Sequence, residues 1–116
     1  MPIDLRPGQA LRLLHEVNLC LVRDGDFDLS ARQMTILLTV YLEPPPHTVR
    51  GLATRLNVTK PAITRALDTL GNMKLLTRKR DEADRRNVII GRTVEGALYL
   101  DQLGNLITVK ARGLPR

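Results

Sequence analysis

Residues 48–76 read TVRGLATRLNVTKPAITRALDTLGNMKLL, and the fold turns on how that stretch divides. Thr48 can cap a short helix ending near Leu56, with Leu52, Ala53 and Leu56 on its inward face. Asn57 and Val58 make the turn. Thr59 then caps a longer helix, 59–72, whose Ile63, Ala66, Leu67 and Leu70 form an apolar stripe. Pro61 sits in that helix's first turn, where the amide hydrogens lack intrahelical partners in any case. Two helices joined by a tight turn, with small Ala53 where they approach, describe a helix-turn-helix; an ordinary helical hairpin would satisfy the same pattern.

The residues that follow favour the first reading. KLLTRKR (74–80) and RRNVIIGR (85–92) are two strand-like runs with a charged connection, which predicts a hairpin over 75–91. A helix-turn-helix followed by a hairpin is a winged helix-turn-helix, a mainly α fold with a small β-wing. Upstream, Leu11, Leu14, Val17, Cys20 and Leu21 recur at helical spacing within a helix over 8–24, and Leu13, Leu19 and Val22 widen its apolar surface beyond one core contact. DGDFD (24–28) breaks that helix. Ser30 is suited to cap a second helix, 31–42, with Met34, Leu37, Leu38 and Tyr41 on one face, and Pro44, Pro45 and Pro46 end it. A single domain of 1–116 is expected, with a core over 30–92 flanked by the first helix and a last helix over 93–112.

Charge is distributed unevenly. Residues 1–58 carry six arginines and six acids, whereas residues 59–92 carry nine basic side chains against four acids. Most of the net charge of +6 therefore belongs to one stretch, the footprint expected for a polyanion such as double-stranded DNA. Within it, RKRDEADRRN (78–87) would be the wing, where Arg78, Lys79, Arg80, Arg85 and Arg86 meet phosphates or enter the minor groove while the preceding helix enters the major groove. Acids in such a wing should be repelled by phosphate. That cost is outweighed if a carboxylate orients an arginine through a charge-assisted bond, and Asp84 with Arg86 is the pair expected to do so.

The segment from about Ser30 to Gly96 resembles the MarR family of bacterial transcriptional regulators. VRGLATRLNVTKPAITRALDTL carries the likeness, together with a D-x-R wing motif at Asp84, Arg85 and Arg86, and RTVEG, similar to the family's L-T-x-x-G. The resemblance implies that Thr59, Lys60, Pro61, Ala62, Thr64 and Arg65 lie along the reading edge of the recognition helix. It also implies that Arg86 is the wing-tip residue steadied by Asp84, and that a homodimer reads an inverted repeat. Three departures stand out. Lys74 occupies the usual glycine position before the first wing strand, and Arg92 replaces the usual leucine. Only 20 residues follow Gly96, where family members continue with two helices that build the dimer interface. Either the dimer leans on the first helix, or the chain is a shortened one, or it binds as something other than the family dimer. The interface is expected through Leu13, Val17, Leu19 and Leu21, with Leu103 and Ile107 alongside.

Other chemistries find little support. No apolar run approaches the roughly 20 residues of a membrane span, and without a leader pattern a cytoplasmic location is expected. Cys20 precludes an internal disulfide; a sensing thiol, as in one branch of the family, is weighed against a small buried apolar residue, and with no adjacent cation the latter is expected. His15 and His47 are far apart with no clustered carboxylates, so no metal or cofactor is expected. The isolated glycines form no phosphate-cradling loop and no nucleophile stands beside a base, so no enzyme is expected. Phe27, Tyr41 and Tyr99 are candidates to line a small-molecule effector pocket, though such residues are more often plain core. The alternative from another class is a winged helix used as a protein-interaction module, its basic wing facing an acidic partner.

Overall fold

Two threonine hydroxyls start the central pair of helices. Thr48 accepts the Gly51 amide at 2.9 Å at the head of α3 (Val49–Leu56), and Thr59 accepts the Ala62 amide at 3.3 Å at the head of α4 (Lys60–Asn72). Each supplies an acceptor to one of the amides that a first helical turn leaves unpaired. Between them Asn57 adopts the left-handed conformation (φ 57°, ψ 48°), and the Val58 amide reaches back to the Ala53 carbonyl at 3.0 Å. Asparagine tolerates that conformation better than most residues, and the turn is accordingly closed. The computed structural model describes residues 4–115. Its remaining elements are α1 (Pro7–Asp24), α2 (Ala31–Leu42), β1 (His47–Thr48), β2 (Leu76–Arg80), β3 (Val88–Arg92) and α5 (Val94–Arg112).

The chain parts into two compact units. One comprises residues 29–100; the other, within the described residues, comprises 4–28 and 101–115. In the first unit the expected hairpin forms as an antiparallel ladder in which Arg78 faces Ile90 and Arg80 faces Val88. A third strand joins it: β1 pairs with β3 through His47 opposite Ile90 and Thr48 opposite Ile89, giving the order β1-β3-β2. The core of this unit is Ile36, Leu37 and Val40 of α2, Leu52 of α3, Ile63, Leu67 and Leu70 of α4, and Leu75, Leu76 and Ile90 around the hairpin. Burying each such side chain favours the fold by about 1.5–3 kcal/mol. On α2 the buried set is Ile36, Leu37, Thr39 and Val40, whereas Met34, Leu38 and Tyr41 are half-buried. The helix is apolar around most of its circumference, so spacing does not single out one face.

Caps and ties hold the ends of these elements. Ser30 accepts the Gln33 amide at 3.1 Å while the Gln33 side chain accepts the Ser30 amide at 2.8 Å, a reciprocal cap on α2. Beyond α2, Glu43 accepts two hydrogen bonds from Arg55 of α3, both 3.0 Å, and these hold the Glu43 carboxyl below its ordinary range. At the exit of α4, Lys74 takes the left-handed conformation (φ 62°) that the family pattern gives to glycine, and Leu75 N bonds Leu70 O at 3.0 Å. The left-handed step out of α4 is thus made by a lysine.

The start of α5 belongs to the same unit because Thr93 and Gly96 are bound into it. The Thr93 hydroxyl donates to Lys74 O at 2.7 Å and accepts the Gly96 amide at 2.9 Å. The Tyr41 hydroxyl accepts the Thr93 amide at 2.9 Å and has the carbonyls of Leu75 and Thr93 within 3.1 Å for its own proton. Gly96 is buried at this junction, where an added Cβ would fall on the Tyr41 hydroxyl and the Leu75 carbonyl. Arg92 lies beside it, with Nε donating to Val40 O at 3.3 Å and its guanidinium 5.6 Å from the Tyr41 ring centre, so the arginine ties the end of α2 to β3. In the second unit Val17 and Leu103 are buried, and the Gln9 side chain donates to Pro115 O at 3.1 Å.

Candidate nucleic-acid interface

The helical period divides α4 into two faces. Ile63, Ala66, Leu67 and Leu70 face the core, while Lys60, Pro61, Thr64, Arg65 and Asp68 are exposed. Thr59, exposed at the head of the helix, spends its hydroxyl on the cap. Ala62, placed on the reading edge by the family pattern, is only 7% exposed and stands with the core residues, so it offers little surface to a partner. The outward set is short, polar or cationic, with no β-branched bulk beyond Thr64 to keep the helix out of a groove.

The wing loop, residues 81–87, is closed by its own backbone. The Asp81 amide donates to Asn87 O at 3.0 Å, and the Asn87 amide donates to Asp84 O at 2.9 Å. Asp84 and Arg86 meet as their sequence separation suggests. Oδ1 of Asp84 accepts both the Arg86 amide and the Arg86 Nε at 3.1 Å, and Oδ2 accepts Nη2 at 3.4 Å. These bonds, the side-chain ones first, hold the Asp84 carboxyl below the ordinary aspartate range against slight desolvation, and Arg50 adds a further electrostatic pull. The Arg86 side chain is nevertheless 85% exposed. It is a guanidinium fixed at one edge and open to solvent at the other.

The other wing cations divide into two groups. Arg80 donates to Arg85 O at 2.6 Å and closes the loop from within, and Arg78 forms an ion pair with Asp68 of α4 at 2.7 Å. Among the described residues the side chains of Lys79 and Arg85 form no hydrogen bond or ion pair. Arg50, exposed in the first turn of α3, joins the wing's electrostatic surroundings through Asp84. A charge tally along the chain assigns Arg50 to the balanced half, because the pairing of β1 with β3 that brings it near the wing is invisible to such a tally.

The remaining candidates are scattered. Cys20 is half-buried, and no group of three potential metal ligands occurs among the described residues. A cavity of about 380 Å³ opens beside α2, lined by Arg32, Thr35, Thr39, Glu43 and Arg55 and not by Phe27, Tyr41 or Tyr99. Among the described residues no helix is long and apolar enough to cross a membrane. Of the side chains expected at a dimer interface, Leu19 and Ile107 are exposed and Leu13 and Leu21 half-buried. Val17 and Leu103 are buried within the chain itself and offer little surface to a partner.

A tight two-helix turn whose second helix turns polar and cationic side chains outward, followed by a basic hairpin, defines a winged helix-turn-helix protein. The MarR family pattern matches residues 29–88, and the chain belongs to that family. Among solved structures it is similar to the transcriptional regulator Tm0710 from Thermotoga maritima (25% identity, 86% of this chain and 68% of the other, TM-score 0.71). It is likewise similar to a MarR-family transcriptional regulator from Rhodococcus sp. RHA1 (25% identity, 91% and 75%, TM-score 0.66). The fold is shared with S. aureus MepR in its DNA complex (23% identity, 86% and 79%, TM-score 0.74). No curated protein sequence matches the chain.

Proposed function

We propose that this protein is a transcriptional regulator that binds duplex DNA sequence-specifically, with α4 in the major groove and the β2–β3 hairpin at the minor groove. The observation that carries the reading is Arg86, held by three contacts to Asp84 while its side chain stays 85% exposed. An arginine that only stabilised the fold would be more enclosed. One that only decorated the surface would be free. A fixed and open guanidinium loses less freedom on meeting a phosphate or a narrow minor groove. On α4, Thr64 and Arg65 are the side chains assigned to base edges, with Lys60 at the phosphates.

Removing Asp84 tests this by sign. Asp84→Ala deletes a negative charge from a basic surface and would tighten binding if the acid were only a solvated neighbour. If it orients Arg86, Asp84→Ala weakens binding, and adding Arg86→Ala costs little more, because the two side chains act through one contact. The loss expected in an anisotropy titration is roughly tenfold to a hundredfold, the range of one oriented charge-assisted contact. Tighter binding, or fully additive losses, would refute the role. Because the folded carboxyl's pKa is lowered, the pair is intact at neutral pH and is lost only as pH falls through that depressed value.

An inverted repeat needs two recognition helices about 34 Å apart, which one copy of this domain cannot supply. The reading therefore includes a dimer. The apolar side chains left outward on α1 are Leu11, Leu14, Leu19 and Val22, and Ile107 and Val109 are exposed on the last part of α5. They take the place of Val17 and Leu103 in the proposed interface. Leu14→Glu should leave the circular dichroism spectrum unchanged, give monomers in light scattering, and weaken binding to a two-site duplex by about tenfold or more through lost avidity. A variant that stays dimeric would place the interface elsewhere.

A further inference from the structure

Asp68 presents an odd feature of the proposed interface. It is an acid on the exposed face of α4, its side chain 57% exposed, on the same side as Pro61, Thr64 and Arg65. Alone it would repel the phosphates that the helix approaches. It is not alone: Arg78 Nη1 lies 2.7 Å from Asp68 Oδ1, and the arginine side chain is only 36% exposed. We propose that the Asp68–Arg78 pair is a positioning clamp that fixes the wing to the recognition helix, so that the hairpin reaches the minor groove when α4 is seated in the major groove. This rests on the DNA-binding reading above and adds the residues that set the relation between its two parts.

Three features of the fold support the clamp. β1 reinforces β3 at Ile89 and Ile90 but touches only that strand, so β2 is a sheet edge. A two-stranded ribbon by itself is marginally stable in water, and its outer strand needs an anchor. Arg78 lies opposite Ile90, within the three-stranded part, two residues before β2 ends at Arg80 and the loop of the tip begins. Alternation along the strand also places Arg78 on the same side as buried Leu76, hence toward α4. Finally, Gly71 stands one turn beyond Asp68 and has an ordinary negative φ, so its backbone does not call for glycine. Arg78 Nη2 passes 3.9 Å from where a Cβ at Gly71 would stand, an ordinary van der Waals distance, so the guanidinium lies along the α4 surface one turn beyond Asp68.

The test compares groove protection with affinity. Asp68→Asn and Arg78→Gln change the net charge in opposite directions, so as ordinary surface charges they would shift affinity in opposite directions. As a clamp, each should lower affinity for a specific duplex, by about fivefold for Asp68→Asn, the upper range for an exposed ion pair. Each should also lose hydroxyl-radical protection of the minor groove at the wing while keeping methylation protection in the major groove at α4. The double variant should lose little more than either single one. Retained minor-groove protection in both single variants, or tighter binding by Asp68→Asn, overturns the clamp alone. A wild-type protein that protects neither groove overturns the clamp together with the reading beneath it.

Discussion

Raising the salt from 50 to 200 mM should weaken duplex binding by roughly a thousandfold or more, the loss expected when a dimer contacts about 6 to 10 phosphates and releases their counterions. Per copy, the outward cations at the proposed surface are Arg50, Lys60, Arg65, Lys79, Arg85 and Arg86. Arg78 and Arg80 lie in the same basic run, but one is neutralised by Asp68 and the other bonds a carbonyl inside the loop. They should contribute less to the slope than their position suggests. Anisotropy titrations at four salt concentrations would give the slope directly. A flat line would remove the DNA reading, and a flat line on DNA with salt-sensitive capture of a defined acidic protein would leave the winged helix as a protein-binding module.

The second large effect belongs to the fold. Gly96→Ala should lower stability by about 3 kcal/mol, at the upper end for overpacking, because the new methyl meets the Tyr41 hydroxyl and the Leu75 carbonyl at once. Neither can retreat cheaply, since the hydroxyl is bonded to Thr93 and Leu75 lies in the turn that closes α4. Gly104, later in the same helix, has nothing within 4 Å of an added Cβ. Gly104→Ala should therefore stabilise by about 0.5–1 kcal/mol, the helix-interior preference for alanine. Urea unfolding of the two variants should move the midpoint in opposite directions. A mild Gly96→Ala would mean that the junction of α2, β3 and α5 is looser than its hydrogen bonds imply.

Much of this was legible in the chain because the informative residues act locally. Ser30, Thr48 and Thr59 cap the helices that follow them, and Asp84 reaches Arg86 across two residues; such pairings depend on short spans whose geometry the backbone dictates. What stayed hidden depends on distant partners. Arg78 and Lys79 are adjacent and look alike in the sequence, yet strand alternation sends one toward Asp68 and leaves the other without such a partner. β1 is two residues long, too short for any periodic signal, and it is what brings Arg50 near the wing. Arg92 reads as a further cation but serves the end of α2. On α1 and α5, abundant leucine marks a helix without saying which apolar side chains stay within the chain; Val17 of α1 and Leu103 of α5 went to the interior.

The two faces of α4 bear on how such a protein acquires a new target. Ala62, Ile63, Ala66, Leu67 and Leu70 are occupied by the fold, while Thr64 and Arg65 lie between them with no core duty. Because successive side chains turn by about 100°, the two sets interleave along the helix without sharing a position. If α4 reads bases as proposed, changes at 64 and 65 should therefore alter which base pairs are preferred while leaving the folding free energy almost unmoved. Asp68 is the exception, since a change there would disturb the tie to the wing as well as the surface offered to a base. A library randomised at 64 and 65 should thus yield mostly folded proteins with varied preferences, whereas one that includes 68 should yield many that still fold but bind poorly.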